Sequence, residues 1–312
     1  MRTFVLVGIM LLAAAPGAPV RAQTNPFLGR WDITATTAKE TYPLWLEVRE
    51  ENGQLVGFFQ ERTGSVRKLP EIAREGSELV FSTGAPARQG APKPVHRAHI
   101  EKGKLVGTLT RGEVTVPWVG VRPPTWKSAN ASAAHTFGPE IVLFNGKDLS
   151  GWTLQFPNQP GGWVVTDGVL TNEKAGNNIV STQRFKDFSL SMEYKLEKDS
   201  NSGLYLRGRY ELQVLDDAGK PPALGGHMAV YGRVVPSVNA SKPAGEWQTA
   251  EITLVGNRVT VVLNGQKVHD NVAIDGITGG ALDSDEGAPG PIMIQGDHSK
   301  IWVRHLVVKP IK

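Results

Sequence analysis

The chain contains no cysteine in its 312 residues. Disulfides, thiolate metal sites and a cysteine-linked lipid anchor are therefore excluded. Beyond the first 22 residues it has no apolar run long enough for a membrane helix. Blocks of basic residues are missing too. The 34 Lys and Arg are scattered among 30 Asp and Glu, for a formal charge of +4, so there is no electrostatic footprint for nucleic acid. No long segment shows helical apolar periodicity. What the chain does have is 35 Gly, 21 Pro and many short runs of Val, Leu, Ile and Thr, the composition of strands and turns. The expected class is all-β.

Residues 1–22 read as a secretory signal peptide. Arg2 supplies the positive start. Phe4 to Ala15 is an apolar run interrupted too soon by Pro16 and Pro19 to span a bilayer. Val20-Arg21-Ala22 is a small-residue cleavage site, with cleavage expected before Gln23. Losing Arg2 and Arg21 takes the formal charge from +4 to +2. The expected location is periplasmic or secreted. An exported chain without disulfides depends on its apolar core, and roughly 290 residues can build one or two.

Residues 24–122 read as a small β-barrel-like domain whose Gly29-Arg30-Trp31-Asp32 opening is similar to lipocalin-like domains. Asn52-Gly53 and Lys102-Gly103 mark hairpins, and residues 46–57 echo residues 98–107. Ala85 to Pro94 reads as a loop, and residues 123–137 as an Ala, Ser, Asn and Pro-rich linker. Residues 138–312 carry about a dozen short strands, enough for a two-sheet β-sandwich.

Within this second domain, Asn201–Arg207 and Tyr210–Asp216 stand out. Strand side chains alternate between faces. Odd positions place Tyr205, Arg207, Glu211 and Gln213 on one face; even positions place Leu204, Leu206, Leu212 and Val214 on the other. Gly208-Arg209-Tyr210 can turn the chain between them. The sheet then has an apolar back and a front carrying a cation, a carboxylate, an amide and a phenol. Such a front suits a polyhydroxylated ligand.

Ile141-Val-Leu-Phe-Asn-Gly-Lys-Asp-Leu-Ser-Gly-Trp152 resembles the opening of the 3-keto-disaccharide hydrolase domain family. Further matches follow in order: Trp163 with Asp167-Gly168-Val169-Leu170, Phe185 to Leu190, Asn201 to Leu204, Arg207, Tyr210 to Gln213 with Asp216, Lys242 to Trp247, Val262 to Val268, Gly290 to Ile292 with Gln295, and Val303-Arg304. They cover nearly all of residues 138–312 and none of residues 24–122. The resemblance implies a concanavalin A-like jelly roll acting on glycosides oxidised at C3. The chain departs from the pattern at His305, where Asn is usual, and in Pro221-Pro222 and Gly225-Gly226-His227. Gly296 is inserted between Gln295 and Asp297-His298.

A ketone at C3 acidifies the proton at C2. Its removal gives an enolate, the group at C1 leaves by β-elimination, and water adds back for net hydrolysis. That route needs a base, a stabiliser for the enolate oxygen and an acid for the leaving group. It does not need the paired carboxylates of an oxocarbenium mechanism. Glu211 is the leading base, His298 an acid or base, and Arg207 the residue to orient substrate or stabilise the enolate. Tyr205, Gln213, Asp216, Lys242, Trp247, Gln295 and Asp297 are the substrate-binding candidates. Structural alternatives stand beside them: an Arg207–Glu211 ion pair, a buried Gln213 amide, a turn at Asp216-Asp217, a core Trp247, and loop histidines at His227 and His298. No ligand spacing is diagnostic for a divalent metal, and the cofactor is left open; Asp283, Asp285 and Glu286 form the nearest approach to a calcium loop. The competing function is a non-catalytic carbohydrate-binding module of the same fold, which needs aromatic platforms and amides but no base. A third is a structural interaction domain, which predicts no sugar-sized pocket. Anomeric preference and oligomeric state are left open.

Overall fold

The computed structural model describes residues 25–84, 92–126 and 129–312. The expected signal peptide and residues 85–91 of the expected loop lie outside the described residues. Every regular element among the described residues is a β-strand.

The first nine strands are β1 (Gly29–Thr36), β2 (Thr41–Glu51), β3 (Gln54–Gln60), β4 (Arg67–Lys68), β5 (Glu71–Glu75), β6 (Glu78–Ser82), β7 (Val95–Glu101), β8 (Lys104–Arg111) and β9 (Val114–Val121). They form one antiparallel sheet in the order β4-β3-β2-β1-β9-β8-β7-β6-β5. The sheet rolls until β5 comes against β3, around a single core that includes Trp31, Ile33, Leu46, Phe59, Phe81 and Trp118. The echo between residues 46–57 and 98–107 is two copies of one hairpin. Asn52 and Gly53 have φ of 53° and 76°, and Lys102 and Gly103 have 48° and 78°. Two consecutive positive φ values make the type I′ turn, whose twist matches that of the strands it joins. The sequence reading misses β5, Glu71-Ile-Ala-Arg-Glu75, because it is a charged, largely exposed edge strand.

The remaining strands are β10 (Ile141–Val142), β11 (Trp152–Leu154), β12 (Trp163–Thr166), β13 (Val169–Asn172), β14 (Ile179–Phe185), β15 (Phe188–Leu196), β16 (Asn201–Leu206), β17 (Tyr210–Leu215), β18 (Gln248–Val255), β19 (Arg258–Leu263), β20 (Gln266–Ala273), β21 (Gly290–Ile294) and β22 (Ile301–Pro310). The larger sheet runs β12-β13-β22-β15-β18-β19-β20, with β10 on β22; the smaller runs β11-β14-β21-β16-β17. The two sheets enclose one apolar core as a concanavalin A-like jelly-roll sandwich. β15 shows why it holds: Phe188, Leu190, Met192, Tyr194 and Leu196 alternate inward with half-exposed residues between them. The smaller sheet differs. β16, β17 and β21 are buried almost continuously, so both faces are covered.

Part of the second covering is the first sheet. On β1 and β2, Asp32 and Trp45 are paired and both are buried. Trp45 packs with Ile277 and Ala281, and the Arg233 guanidinium lies 4.3 Å from its ring. Thr34 Oγ1 meets Ser284 Oγ at 2.7 Å, and Arg30 meets Asp275 at 2.9 Å. The connecting segment is packed as well. Ala131 N–H donates to Asn271 Oδ1 at 2.9 Å, and Phe137 bridges Ile311.

Candidate functional site

The smaller sheet positions the site. β16 pairs with β17 so that Tyr205 lies opposite Glu211 and Gly203 opposite Gln213. Leu204, Leu206, Leu212 and Val214 face the sandwich core. Tyr205, Glu211 and Gln213 project the other way, into a cleft of about 440 Å³. Gln295, Asp297 and His298 line the same cleft from the end of β21.

Glu211 sits at the floor and is only 4% exposed. Burial lifts its carboxyl to about 8; the neighbouring Tyr205 phenol pulls it back and the Asp297 charge pushes it further up. No Lys or Arg pairs with it among the described residues. Gly203 makes its room, because a Cβ there would collide with Glu211 Oε1 and crowd the rest of the carboxyl. Gly203→Ala is therefore expected to displace the carboxyl. The predicted outcome is a fall in kcat/KM of about tenfold or more, with a stability cost of about 1–3 kcal/mol from overpacking, read from steady-state rates and thermal melts.

The Tyr205 hydroxyl donates to Gly279 O at 3.0 Å. Gln213 Oε1 accepts from Val214 N–H at 3.0 Å, which fixes the amide and leaves its NH₂ as the group available to the cleft. Gly296 is pinned. Its N–H donates to Asn178 Oδ1 at 2.9 Å, and its carbonyl accepts from Asn172 Nδ2 at 3.1 Å. A Cβ at Gly296 would meet Asn177 O and the Trp163 ring at 2.6 Å. From this fixed point Asp297 and His298 reach the cleft rim. There His298 Nδ1 and Asp297 Oδ1 are 2.7 Å apart, with about half of each side chain exposed.

Four expected site residues lie elsewhere. Arg207 has φ 54° and forms the turn with Gly208 at φ 67°. A left-handed residue breaks strand alternation, so the guanidinium leaves the Tyr205 face. It is fully buried, donates to Gly256 O, and lies 5.3 Å from the Trp126 ring and 5.1 Å from the Tyr210 ring. It neither enters the cleft nor pairs with Glu211. Asp216 Oδ2 accepts from Asp199 N–H at 2.9 Å, at the far end of the hairpin. Trp247 falls in phase with Thr249 and Glu251 on the outer face of the larger sheet. It is neither core nor cleft: Arg304 lies 4.1 Å and Lys195 5.2 Å from its ring. Lys242 Nζ donates to Trp247 O at 3.0 Å, on that same side.

His227 is a core histidine. Its Nε2 meets the Tyr194 hydroxyl at 2.7 Å, and burial pushes its pKa down. Two side chains of the acidic loop are engaged by their own chain. Asp283 Oδ1 accepts from Arg209 Nε at 2.5 Å, and buried Glu286 accepts from the Tyr210 hydroxyl at 2.9 Å. Among the described residues no three His, Asp or Glu side chains gather as metal ligands.

The sequence reading also misses cleft residues. Asn178 comes from the residue before β14, Gln155 and Phe156 from the segment after β11, and Tyr231 from the segment along β17. Asn201 heads a motif already noted; its Oδ1 is buried with no hydrogen-bond partner among the described residues. Glu40, Thr41, Tyr42, Pro43, Arg62, Thr63 and Gly64 come from the first sheet.

The chain is similar to a protein of Bacteroides thetaiotaomicron named 3-keto-disaccharide hydrolase, at 25% identity over 164 residues. That match takes in 41% of this chain and spans 57% of the relative's length. Two solved structures from Parabacteroides distasonis, each described as a candidate glycosyl hydrolase, are also similar. One is 27% identical with a TM-score of 0.49, covering 60% of this chain and 92% of its own. The other is 26% identical with a TM-score of 0.44, covering 55% of this chain and all of its own. Residues 139–309, more than half of the chain, match the 3-keto-alpha-glucoside-1,2-lyase-like domain, and the chain belongs to that family.

Proposed function

We propose that this protein cleaves 3-keto-glycosides by elimination and hydration, as an exported periplasmic or secreted enzyme. The observation that carries the reading is one cleft with an uncompensated carboxyl at about 8 on its floor, phenols and amides around it, and an Asp–His pair at its rim. Glu211 takes the C2 proton. A carboxyl raised towards the working pH is a stronger base once ionised, which suits a carbon acid beside a ketone. The enolate charge collects on the C3 oxygen, where the Gln213 NH₂ is the available donor. The C1–O bond breaks with its electron pair on the leaving oxygen, which takes a proton from His298, held by Asp297. Water adds across C1 and C2 of the enone, so the net reaction is hydrolysis. Asn201 Oδ1 accepts a substrate hydroxyl.

The binding-module reading asks for aromatic platforms without a base. Trp247 lies outside the cleft and a raised carboxyl lies at its floor, so the enzyme reading is favoured.

The test incubates the protein with a 3-keto-α-glucoside and with its unoxidised parent, with and without chelator. Aglycone release from the keto form alone is expected. Release from neither, or equal release from both, overturns the proposal. A chelator-sensitive rate would add a metal to the mechanism.

A further inference from the structure

The family match begins at residue 139, yet the cleft does not end with the sandwich. Its mouth is walled by Glu40, Tyr42 and Arg62 of the first sheet. Building on the proposed activity, we infer that the leaving-group subsite is built by the first sheet, outside the family match, with Glu40, Tyr42 and Arg62 as the wall that holds the leaving sugar ring of a disaccharide substrate.

Depth comes first. Glu211 and Gln213, 4% and 6% exposed, form the floor, so the oxidised ring that reacts must lie there. Arg62 and Glu40 stand at the rim with their side chains about 40% exposed. Whatever is attached to C1 must pass them.

The rim is also organised. Arg62 Nη1 and Nη2 donate to Glu40 Oε1 and Oε2 at 2.6 and 2.8 Å, and the guanidinium lies 5.3 Å from the Tyr42 ring. Exposed ion pairs contribute little to stability. A fork held in two bonds still has its Nε–H, and the carboxylate keeps free lone pairs. Neighbouring donors and acceptors of that kind match the vicinal hydroxyls of a sugar. Across the mouth Phe156 presents an exposed ring from an anchored backbone. Its N–H donates to Asn177 Oδ1 at 3.1 Å, and its carbonyl accepts from Asn177 Nδ2 at 2.7 Å. An aromatic face on one side and a hydroxyl-matching pair on the other fit one pyranose.

The wall is tied to the floor. The Arg62 carbonyl accepts from Gly280 N–H at 2.8 Å, and the adjacent Gly279 carbonyl holds the Tyr205 hydroxyl. A Cβ at Gly279 would run into the Gly64 carbonyl, and one at Gly280 would meet the Tyr205 hydroxyl at 2.5 Å. Two glycines therefore let the first sheet reach the neighbour of the proposed base. The tie runs through the Arg62 backbone, so replacing the side chain leaves it in place.

The experiment compares kcat/KM for a 3-keto glucosyl-glucose with that for methyl 3-keto-α-glucoside, in wild type, Arg62→Ala and Tyr42→Ala, with melting temperatures as the folding control. The ratio of the two values is expected to exceed one in the wild type and to fall about tenfold or more in Arg62→Ala, the scale of a lost charged hydrogen bond. A wild-type ratio of one, or an unchanged ratio in both folded variants, overturns the subsite. If the wild type cleaves neither keto substrate, the proposed activity fails. Calorimetric binding of the unoxidised disaccharide and methyl glucoside then tests the wall separately. Weaker binding of the disaccharide alone in Arg62→Ala supports it, and equal binding by wild type and variant overturns it.

Discussion

Glu211→Gln is expected to lower kcat/KM on a 3-keto-glycoside by about 10²–10⁴-fold while the protein stays folded. The two expectations come from one environment. Burial holds the carboxyl at about 8, so at neutral pH the folded state keeps a proton that the unfolded chain, near 4.5, gives up. A raised carboxyl favours the folded state fully at low pH, and that contribution is lost as pH rises towards 8. Glutamine has the shape of the protonated acid and no charge to bury, so the variant should melt no lower than wild type at pH 7 and higher above pH 8. Activity behaves oppositely. A base must be ionised, so the limb of wild-type kcat/KM set by Glu211 should rise with pH towards about 8, and deprotonation of the acid His298 bends the profile down on its alkaline side. Asp297 is among the causes that push Glu211 up. Asp297→Asn should therefore move the rising limb to lower pH, whatever it does to the maximum. Full activity in folded Glu211→Gln, or a profile flat from pH 6 to 9, would remove Glu211 as the base.

Much of this site was legible from alternation alone. The order of apolar and polar residues in Leu204-Tyr205-Leu206 and Glu211-Leu212-Gln213-Val214 placed phenol, carboxyl and amide together, and the register puts Tyr205 opposite Glu211. The rule failed where its premise failed. Arg207 continues the odd numbering, but it is a turn residue at φ 54°, and beyond β16 parity no longer sets direction. Gly208 hinted at a turn; an arginine in its left-handed half gave no such hint, since asparagine, aspartate and glycine are the usual occupants. Trp247 failed for a different reason. It was read as a sugar platform or a core residue, whereas it lies in phase with Thr249 on an outward face, and a sandwich has two of those, so phase does not say which one carries the site.

The rest was not written locally. Glu40, Tyr42 and Arg62 carry no motif, and they share a cleft with Gly279 and Gly280, with the Arg62 carbonyl accepting from Gly280 N–H, only because the first domain docks on the second. Gly276 and Gly279 are the nearest thing to a signal. They read as ordinary loop glycines, and each turns out to be a close approach, to the Trp45 ring and to the Gly64 carbonyl. Asp283, Asp285 and Glu286 were undecidable locally, because alternating acids in a loop look the same whether they face solvent, bind a cation or pair with arginine and tyrosine side chains of their own chain.

Asp32→Asn is expected to flatten the fall of stability with rising pH. Asp32 on β1 and Glu286 in the sandwich are both buried where the two sheets dock. Asp32 Oδ1 and Glu286 Oε1 have no donor among the described residues. Two carboxyl groups brought together away from water cannot both ionise cheaply, so they share a proton. Burial raises Glu286 as well, but the Tyr210 hydroxyl at 2.9 Å and the favourable charge of Arg233 oppose that, so Glu286 is the partner that ionises first. Asp32 carries the proton, held up to about 9 by burial and by the Glu286 charge. The sign follows. Unfolded Asp32 releases its proton near 3.8, and the folded protein retains it to about 9. Its contribution is full below pH 4 and declines across pH 4–9, by at most about 1.4 kcal/mol per pH unit. Asparagine offers an N–H where protonated Asp32 offers an O–H, and its donor does not titrate. Thermal melts from pH 5 to 10 should show the variant overtaking wild type at the alkaline end. Asp32→Ala should be less stable at every pH, by about 1–3 kcal/mol, because it leaves Glu286 buried without that donor. Parallel wild-type and Asp32→Asn curves would rule out the shared proton. The cleft mouth hangs on the same docking, so the pH at which the pair ionises is also where the Glu40–Arg62 wall should loosen. Discrimination between disaccharide and methyl substrates should then fade towards pH 9 in the wild type and persist in Asp32→Asn.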